Sequence, residues 1–385
     1  MSDKAFLLER PPLDEPLLIG VLGILLLGLV MVGSASIGIA TDHSGNPFYF
    51  LIRQGIYVGL GLALAWQALR LPLRFWEQSG PYLLLFSMVL LVLVLVPGLG
   101  RNVNGSSRWL GVGPLTLQPS ELVKLFSIVY LAGYVVRRGQ EVRQSVWGFV
   151  KPLLVLGFIA FLLLLEPDFG TSVVVLTTSM GVLFLAGVRI WQFVVLLIPV
   201  MLGLMGLAVV APYRLQRVLS FLDPWQDAFG KGYQLTQALI AFGRGEWLGV
   251  GLGGSIQKLH YLPEAHTDFL FAVLAEELGL VGILVVVGLF SFVIWRAFEV
   301  GRRAEEAQNF FAAYLCYGIS LWIGFQAFIN IGVNMGILPT KGLTLPLMSY
   351  GGSSVMITCV AMSLLLRVSG ELHAAEEIRK SDPES

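Results

Sequence analysis

Ten stretches of this chain are apolar for long enough to cross a bilayer, and that repetition leaves it few folds to adopt. A hydrocarbon layer of about 30 Å needs roughly twenty residues of helix at about 1.5 Å each. The stretches lie near residues 16–39, 51–69, 81–97, 119–136, 152–166, 172–188, 191–211, 269–295, 309–333 and 345–366. The expected fold class is an all-α polytopic membrane protein with ten transmembrane helices, built as one integral membrane domain over residues 1–369. The polar segment 370–385 reads as a disordered tail. Only Glu166-Pro-Asp168-Phe-Gly170-Thr171 separates the fifth stretch from the sixth, and its proline and glycine predict a tight hairpin in place of one long helix.

Composition excludes several classes of function. Charged residues make up 13% of the chain, against about 25% in a soluble domain. Net charge is zero and no run of like charges exceeds two residues, so nucleic acid has no electrostatic footprint here. Cys316 and Cys359 both fall inside apolar stretches, which suits buried thiols better than a disulfide or a metal cluster. The first stretch is too long for the core of a cleaved signal peptide and reads as a retained span.

Basic residues set the orientation. The termini and the even-numbered connections carry fifteen Lys and Arg, whereas the short loops on the other side carry Arg53, Arg101, Arg108 and Lys341 and the long segment adds five. The positive-inside bias therefore places both termini in the cytoplasm and the connection between spans seven and eight outside. That connection, about residues 212–268, is the longest polar excursion in the chain. Gly232 to Phe242 within it reads as a short amphipathic helix, with Leu235, Ala238, Leu239 and Phe242 on one stripe.

A chain this apolar has little room for polar chemistry, so each polar cluster is a candidate site. Asp268 stands at the start of the eighth span, with Thr267 as its expected N-cap. An acid in a first helical turn is favoured by the helix dipole in any case. His266 and Glu264 beside it, at the membrane surface, favour a reactive group. Arg108 lies in an outer loop leading to Gln118-Pro-Ser-Glu121 and Lys124. A lysine inside a span needs a partner or a function. One reading is a structural Glu121–Lys124 pair; the other sets Lys124, Arg108 and Arg53 around a cavity that holds an anion. Lys258 joins these cations as a candidate from the long outer segment. Glu276 and Glu277 fit a buried salt bridge or a cavity lining equally well. Asp168 in the hairpin and Ser349 at the mouth of the last span are further supporting candidates. The Gly249–Gly254 string lacks any βαβ context for a dinucleotide site and reads as a tight turn.

Taken together, the stretches Asn104 to Trp109, Gln118 to Glu121, Glu166 to Gly170, Leu262 to Phe269, Ala275 to Gly279 and Ser349 to Ser354 resemble the SEDS family (shape, elongation, division and sporulation proteins). Ser220 to Trp225, Tyr233 to Arg244 and Leu338 to Pro346 are more similar to its division branch than to its elongation branch. Glu166 stands where the family commonly has glutamine.

The resemblance implies a glycosyltransferase that polymerises lipid II into β-1,4-linked glycan strands and releases undecaprenyl pyrophosphate. It implies work at the division septum, in the bacterial cytoplasmic membrane. The implied partners are lipid II, the growing glycan chain, a class B penicillin-binding protein and other division proteins. It also implies Asp268 as the essential acid. Physical reasoning agrees: displacing an α-linked pyrophosphate to form a β-bond inverts the anomeric carbon, and one general base suffices. The leaving group needs neutralised charge more than a proton. On this reading Asp268 is the base, Arg53, Arg108, Lys124 and Lys258 face pyrophosphate, Glu121 orients Lys124, and His266 tunes Asp268. The chemistry accommodates a divalent cation such as Mg or Mn, although nothing in the sequence demands one. A lipid II flippase without chemistry would share the ten spans and broken helices, but it needs ligand groups on both faces. A division scaffold is the third reading.

Overall fold

The structure, a computed structural model, describes residues 13–103, 106–112, 115–195, 223–230, 232–339 and 342–381. Its helices are α1 (Glu15–Ser44), α2 (Tyr49–Arg70), α3 (Leu73–Leu95), α4 (Pro119–Gln144), α5 (Val146–Leu165), α6 (Phe169–Leu185), α7 (Tyr233–Gly245), α8 (Leu270–Glu306), α9 (Phe310–Asn334) and α10 (Gly352–Ser381). Among the described residues, eight of these are long and apolar enough to cross a membrane, and α6 is a shorter apolar helix. The expected seventh span begins as helix at 190–195; the rest of it, with Arg214, Arg217, Lys231 and Lys341, lies outside the described residues.

Local chemistry explains where the helices start and stop. Asp14 caps α1 by accepting the Leu17 N–H at 3.1 Å, and Gly45 ends it at φ 70°. Pro119 opens α4, where a missing N–H costs nothing. At the α5–α6 elbow, Asp168 caps α6 through the Thr171 N–H at 3.2 Å and the Thr171 hydroxyl at 2.9 Å. The expected hairpin is present. Helices α4, α9 and α10 are largely enclosed by their neighbours, whereas α2, α3 and α8 turn most of their side chains outward. That division matches an inner core and a lipid-facing ring.

Four features depart from expectation. The loop before α4 is a three-stranded antiparallel sheet, β1 (Gly100–Val103), β2 (Ser106–Val112) and β3 (Leu115–Leu117), pairing Arg101 with Trp109 and Leu110 with Leu117. The last helix begins at Gly352, not near 345, because Leu345–Ser349 turns back on itself through the Ser349 N–H to Leu345 O bond at 3.0 Å. It also continues through the stretch expected to be disordered, as far as Ser381. Glu371 explains this: it pairs with Arg367 at 2.7 Å and accepts the Leu73 N–H at 3.1 Å, tying the extension to α3. Finally, α8 is broken at Gly279, which has φ 65° and ψ −162°. The outer segment satisfies the exposed backbone there: Leu280 and Val281 donate to Glu246 and Trp247, while Val250 and Gly251 donate to Glu276 and Glu277.

Candidate active site

Asp268 lies just before α8, in a turn closed by the Phe269 N–H to Glu264 O bond at 3.2 Å. Thr267 does not cap the helix; its hydroxyl bonds the Glu264 carboxylate at 2.7 Å, because the chain turns before the helix can begin. The cap comes from across the bundle. Asn334 Oδ1 accepts the Ala272 N–H at 3.1 Å, and its Nδ2 donates to the Asp268 main-chain oxygen at 3.0 Å. Asn330, one turn earlier on α9, donates to the same oxygen at 2.8 Å and to Leu343 O at 2.6 Å. Neither asparagine was among the sequence candidates. Their signal was available: two amides at i, i+4 near the end of an otherwise apolar span.

Two cavities meet at Asp268. The larger, about 670 Å³, is lined by Arg53, Tyr57, Glu121, His266 and Tyr350 among others, and by the Gly351–Ser354 turn. The smaller, about 280 Å³, is lined by Asp168, Phe169 and Gln234. Arg108, Glu264, Asp268 and Gly342 line both, and so form the wall between them. Strand β2 carries Arg108 to this wall, where the elbow fixes its guanidinium. Its Nε donates to Glu166 O at 3.1 Å and its Nη2 to Pro167 O at 2.6 Å. Gly342 is a second position that sequence reasoning missed: a Cβ there would stand 3.1 Å from Asp268 Oδ2.

Charge at this wall favours a base poised near neutrality. Burial, with Glu264 and Asp168 nearby, pushes the Asp268 carboxyl up to about 7, against the opposing pull of Arg108. Burial and Asp168 push Glu166 up to about 8; its two carboxyl oxygens are buried without hydrogen-bond partners. His266 packs against the rings of Phe50 and Tyr350, which also touch each other, and burial holds it below its ordinary value. Glu264 and Asp168, rather than His266, are the charged neighbours that raise Asp268. No group of three or more His, Cys, Asp or Glu side chains among the described residues is placed to hold a metal ion.

The structure thus brings Asp268, Arg53, Arg108, Glu121, His266 and Asp168 together, and sets five other candidates apart. Lys124 lies buried beneath the cavity, bonded to Glu121 at 2.9 Å and to Gln326 Oε1 at 2.9 Å. Gln326 in turn donates to Thr344 O at 2.9 Å, so this network underpins the cavity wall. Lys258 pairs with Glu277 at 2.7 Å, and Glu277 also accepts from Ser34. Glu276 takes Arg244 at 2.6 Å together with the Ser255 hydroxyl and the Ile256 N–H. The adjacent acids are themselves buried, and their ion pairs fasten the segment before α8 to α8 and α1. Ser349 Oγ accepts the Leu345 N–H at 3.0 Å, and its carbonyl accepts from Gln54 at 3.1 Å, which shapes the turn beside the cavity. Within that turn, a Cβ on Gly352 would strike the Tyr57 ring at 2.6 Å, so its glycine serves close helix approach.

Residues 15–374 match the FtsW, RodA and SpoVE family of cell cycle proteins. This chain belongs to that family. The probable peptidoglycan glycosyltransferase FtsW of Thioalkalivibrio sulfidiphilus is 59% identical over 359 residues, covering 93% of this chain and 90% of that protein. The FtsW of Coxiella burnetii, described in the same words, is 55% identical over 358 residues, covering 93% and 96%. Among solved structures, a chain from a peptidoglycan synthase complex that coordinates polymerization and crosslinking superposes with a TM-score of 0.77 at 32% identity, covering 94% of this chain and 98% of that one. The rod shape determining protein RodA of Thermus thermophilus superposes at 0.66 with 31% identity, covering 93% and 96%. The family resemblance read from the motifs is borne out, and the FtsW relatives stand closer in sequence than RodA does.

Proposed function

We propose that this FtsW-type chain is an inverting peptidoglycan glycosyltransferase that polymerises lipid II during septal wall synthesis. The observation that carries this reading is the shared wall: an acid and a fixed arginine sit where two cavities meet. Asp268, as carboxylate, removes the proton from the acceptor 4-hydroxyl. The freed oxygen attacks the anomeric carbon of the donor from the face opposite its pyrophosphate. The carbon–oxygen bond to pyrophosphate breaks and its electron pair leaves on undecaprenyl pyrophosphate. Arg108, and Arg53 across the larger cavity, neutralise that charge as it develops. The larger cavity, with two arginines and several hydroxyls, suits the pyrophosphate-bearing donor; the smaller, bordered by Asp168 and Gln234, suits sugar hydroxyls of the acceptor.

The distribution of basic residues supports a topology with both termini in the cytoplasm and Asp268 on the outer face of the bacterial membrane. The kinship with a chain from a polymerising and crosslinking complex supports a class B penicillin-binding protein as partner. The test is purified full-length protein with lipid II, alone and with the cognate transpeptidase, scored for glycan strands. Strands should form, and Asp268→Asn should abolish them while leaving the fold intact. Full activity of the Asn variant would sink the assignment of the base. Translocation of lipid II across vesicles without any polymer would instead favour a transporter.

A further inference from the structure

At the end of the bundle opposite Asp268, α4 kinks at Arg138, where φ is −127° and ψ 21°. Beyond the kink lies a cavity of about 560 Å³ lined by Arg137, Arg138 and Arg143 on one side and by Phe310 and Tyr314 of α9 on the other. Arg143 is held in place by protein acceptors, donating from Nε to Ala186 O at 2.9 Å and from Nη2 to the Tyr314 hydroxyl at 3.4 Å. Arg138 reaches Glu141 at 3.0 Å, and Lys151 reaches the same carboxylate. Arg137 is exposed and has no acidic partner among the described residues. Three arginines and one carboxylate, Glu141, therefore line this concave surface, and Lys151 draws on the same carboxylate from outside it, which leaves uncompensated positive charge in the cavity.

The rim of this cavity is apolar. Val136 and Phe310 are exposed on it, at 39% and 36%. Trp147 and Trp191, also exposed, flank the same end of the bundle, and exposed tryptophans of a spanning helix mark the headgroup level. A solvated basic loop would show neither the concavity nor the hydrocarbon-facing rim. A soluble anion would use the arginines and leave the rim unused.

We propose that this pocket binds the phosphate of an anionic phospholipid from the leaflet on the side away from Asp268. The guanidinium groups of Arg137, Arg138 and Arg143 take the phosphate oxygens, by the fork geometry that suits arginine to phosphate. The acyl chains leave past Val136 and Phe310 into the bilayer. Basic pockets between helices at a membrane face recognise anionic headgroups in this way. The site stands apart from the proposed chemistry, so its test is a binding test.

Full-length protein, stripped of lipid in neutral detergent, is titrated with phosphatidylglycerol, phosphatidylcholine or inorganic phosphate. Bound lipid is counted by native mass spectrometry. Phosphatidylglycerol should be retained and phosphatidylcholine should not. With each basic residue near an anionic surface contributing about 1 kcal/mol, Arg137→Gln with Arg138→Gln should weaken retention roughly 30-fold. Arg137→Gln alone, which breaks no ion pair, should weaken it roughly fivefold and serves if the double variant folds poorly. Arg137→Lys with Arg138→Lys should keep most of the binding. Retention by the glutamine variants equal to that of the unaltered protein overturns the proposal. So does displacement of the lipid by inorganic phosphate at equal concentration, which would mark a site for a soluble anion.

Discussion

Asn334 joins the start of α8 to the end of α9 with the two ends of one amide: it donates to the Asp268 carbonyl at 3.0 Å and accepts from the Ala272 N–H at 3.1 Å. The acid proposed as the base is thus held by a residue 66 places further along the chain. Asn334→Ala removes one of two amide donors on the Asp268 carbonyl and one of two acceptors of the Ala272 N–H; Asn330 and the Phe269 carbonyl remain as partners, so each lost bond costs about 0.5–1.5 kcal/mol. Thermal unfolding should show the loss. In the protein that remains folded, kcat should fall roughly 10–100-fold with a smaller change in KM, because a displacement of about 1 Å is costly at a reacting group. An unchanged kcat would reduce Asn334 to a helix cap.

The protonation of Asp268 predicts the pH profile. The proposed base works only when ionised, so the rate of polymerisation should climb as pH rises through about 7. Glu264 raises the Asp268 value, so Glu264→Gln should move this acidic limb to lower pH. Arg108 lowers it, so Arg108→Gln should move the limb to higher pH as well as slowing the reaction. Initial rates between pH 5 and 9 measure both shifts, and shifts of the same sign would contradict the electrostatic picture.

Lys124 and Glu121 are predicted to act through stability. Lys124→Met leaves the Glu121 carboxylate buried without its cation, at about 3–5 kcal/mol. Folded yield should collapse, and adding Glu121→Gln should restore much of it. A Lys124→Met protein of normal yield whose KM for lipid-linked substrate rises would instead show that Lys124 reaches the substrate.

Gly342 is predicted to be a steric gate on the carboxylate. Its hypothetical Cβ stands 3.1 Å from Asp268 Oδ2, closer than a side chain comfortably approaches. Gly342→Ala should slow polymerisation modestly and Gly342→Val should slow it by more than tenfold, a loss of about 1.4 kcal/mol in transition-state stabilisation, with little change in unfolding temperature. Equal activity of the valine variant would show that the reacting groups approach Asp268 from another side.

Eight of the ten expected spans are found among the described residues, legible because a bilayer imposes a length on every segment that crosses it, and apolar composition reports that length directly. The α5–α6 hairpin and the helix at Tyr233–Gly245 were legible for equally local reasons: proline with glycine in the first, a 3.6-residue stripe in the second. Asp268, Arg108 and Arg53 stood out as polar groups in a chain with little room for them. Lys124 stood out just as clearly, yet it is bonded to Glu121 and Gln326 beneath the cavity. Lys258 and Glu277 likewise satisfy one another. Charge identity is local information, whereas the choice between a partner and a ligand depends on which helices meet. Only the tertiary structure decided that Arg108 and Asp268 share a wall, that Asn330 and Asn334 hold the acid from α9, and that Gly342 leaves it room. Each of those contacts joins residues more than sixty positions apart. The physical reason is that a membrane dictates each helix separately, while the packing among helices depends on side-chain shape and amide geometry that no periodicity records.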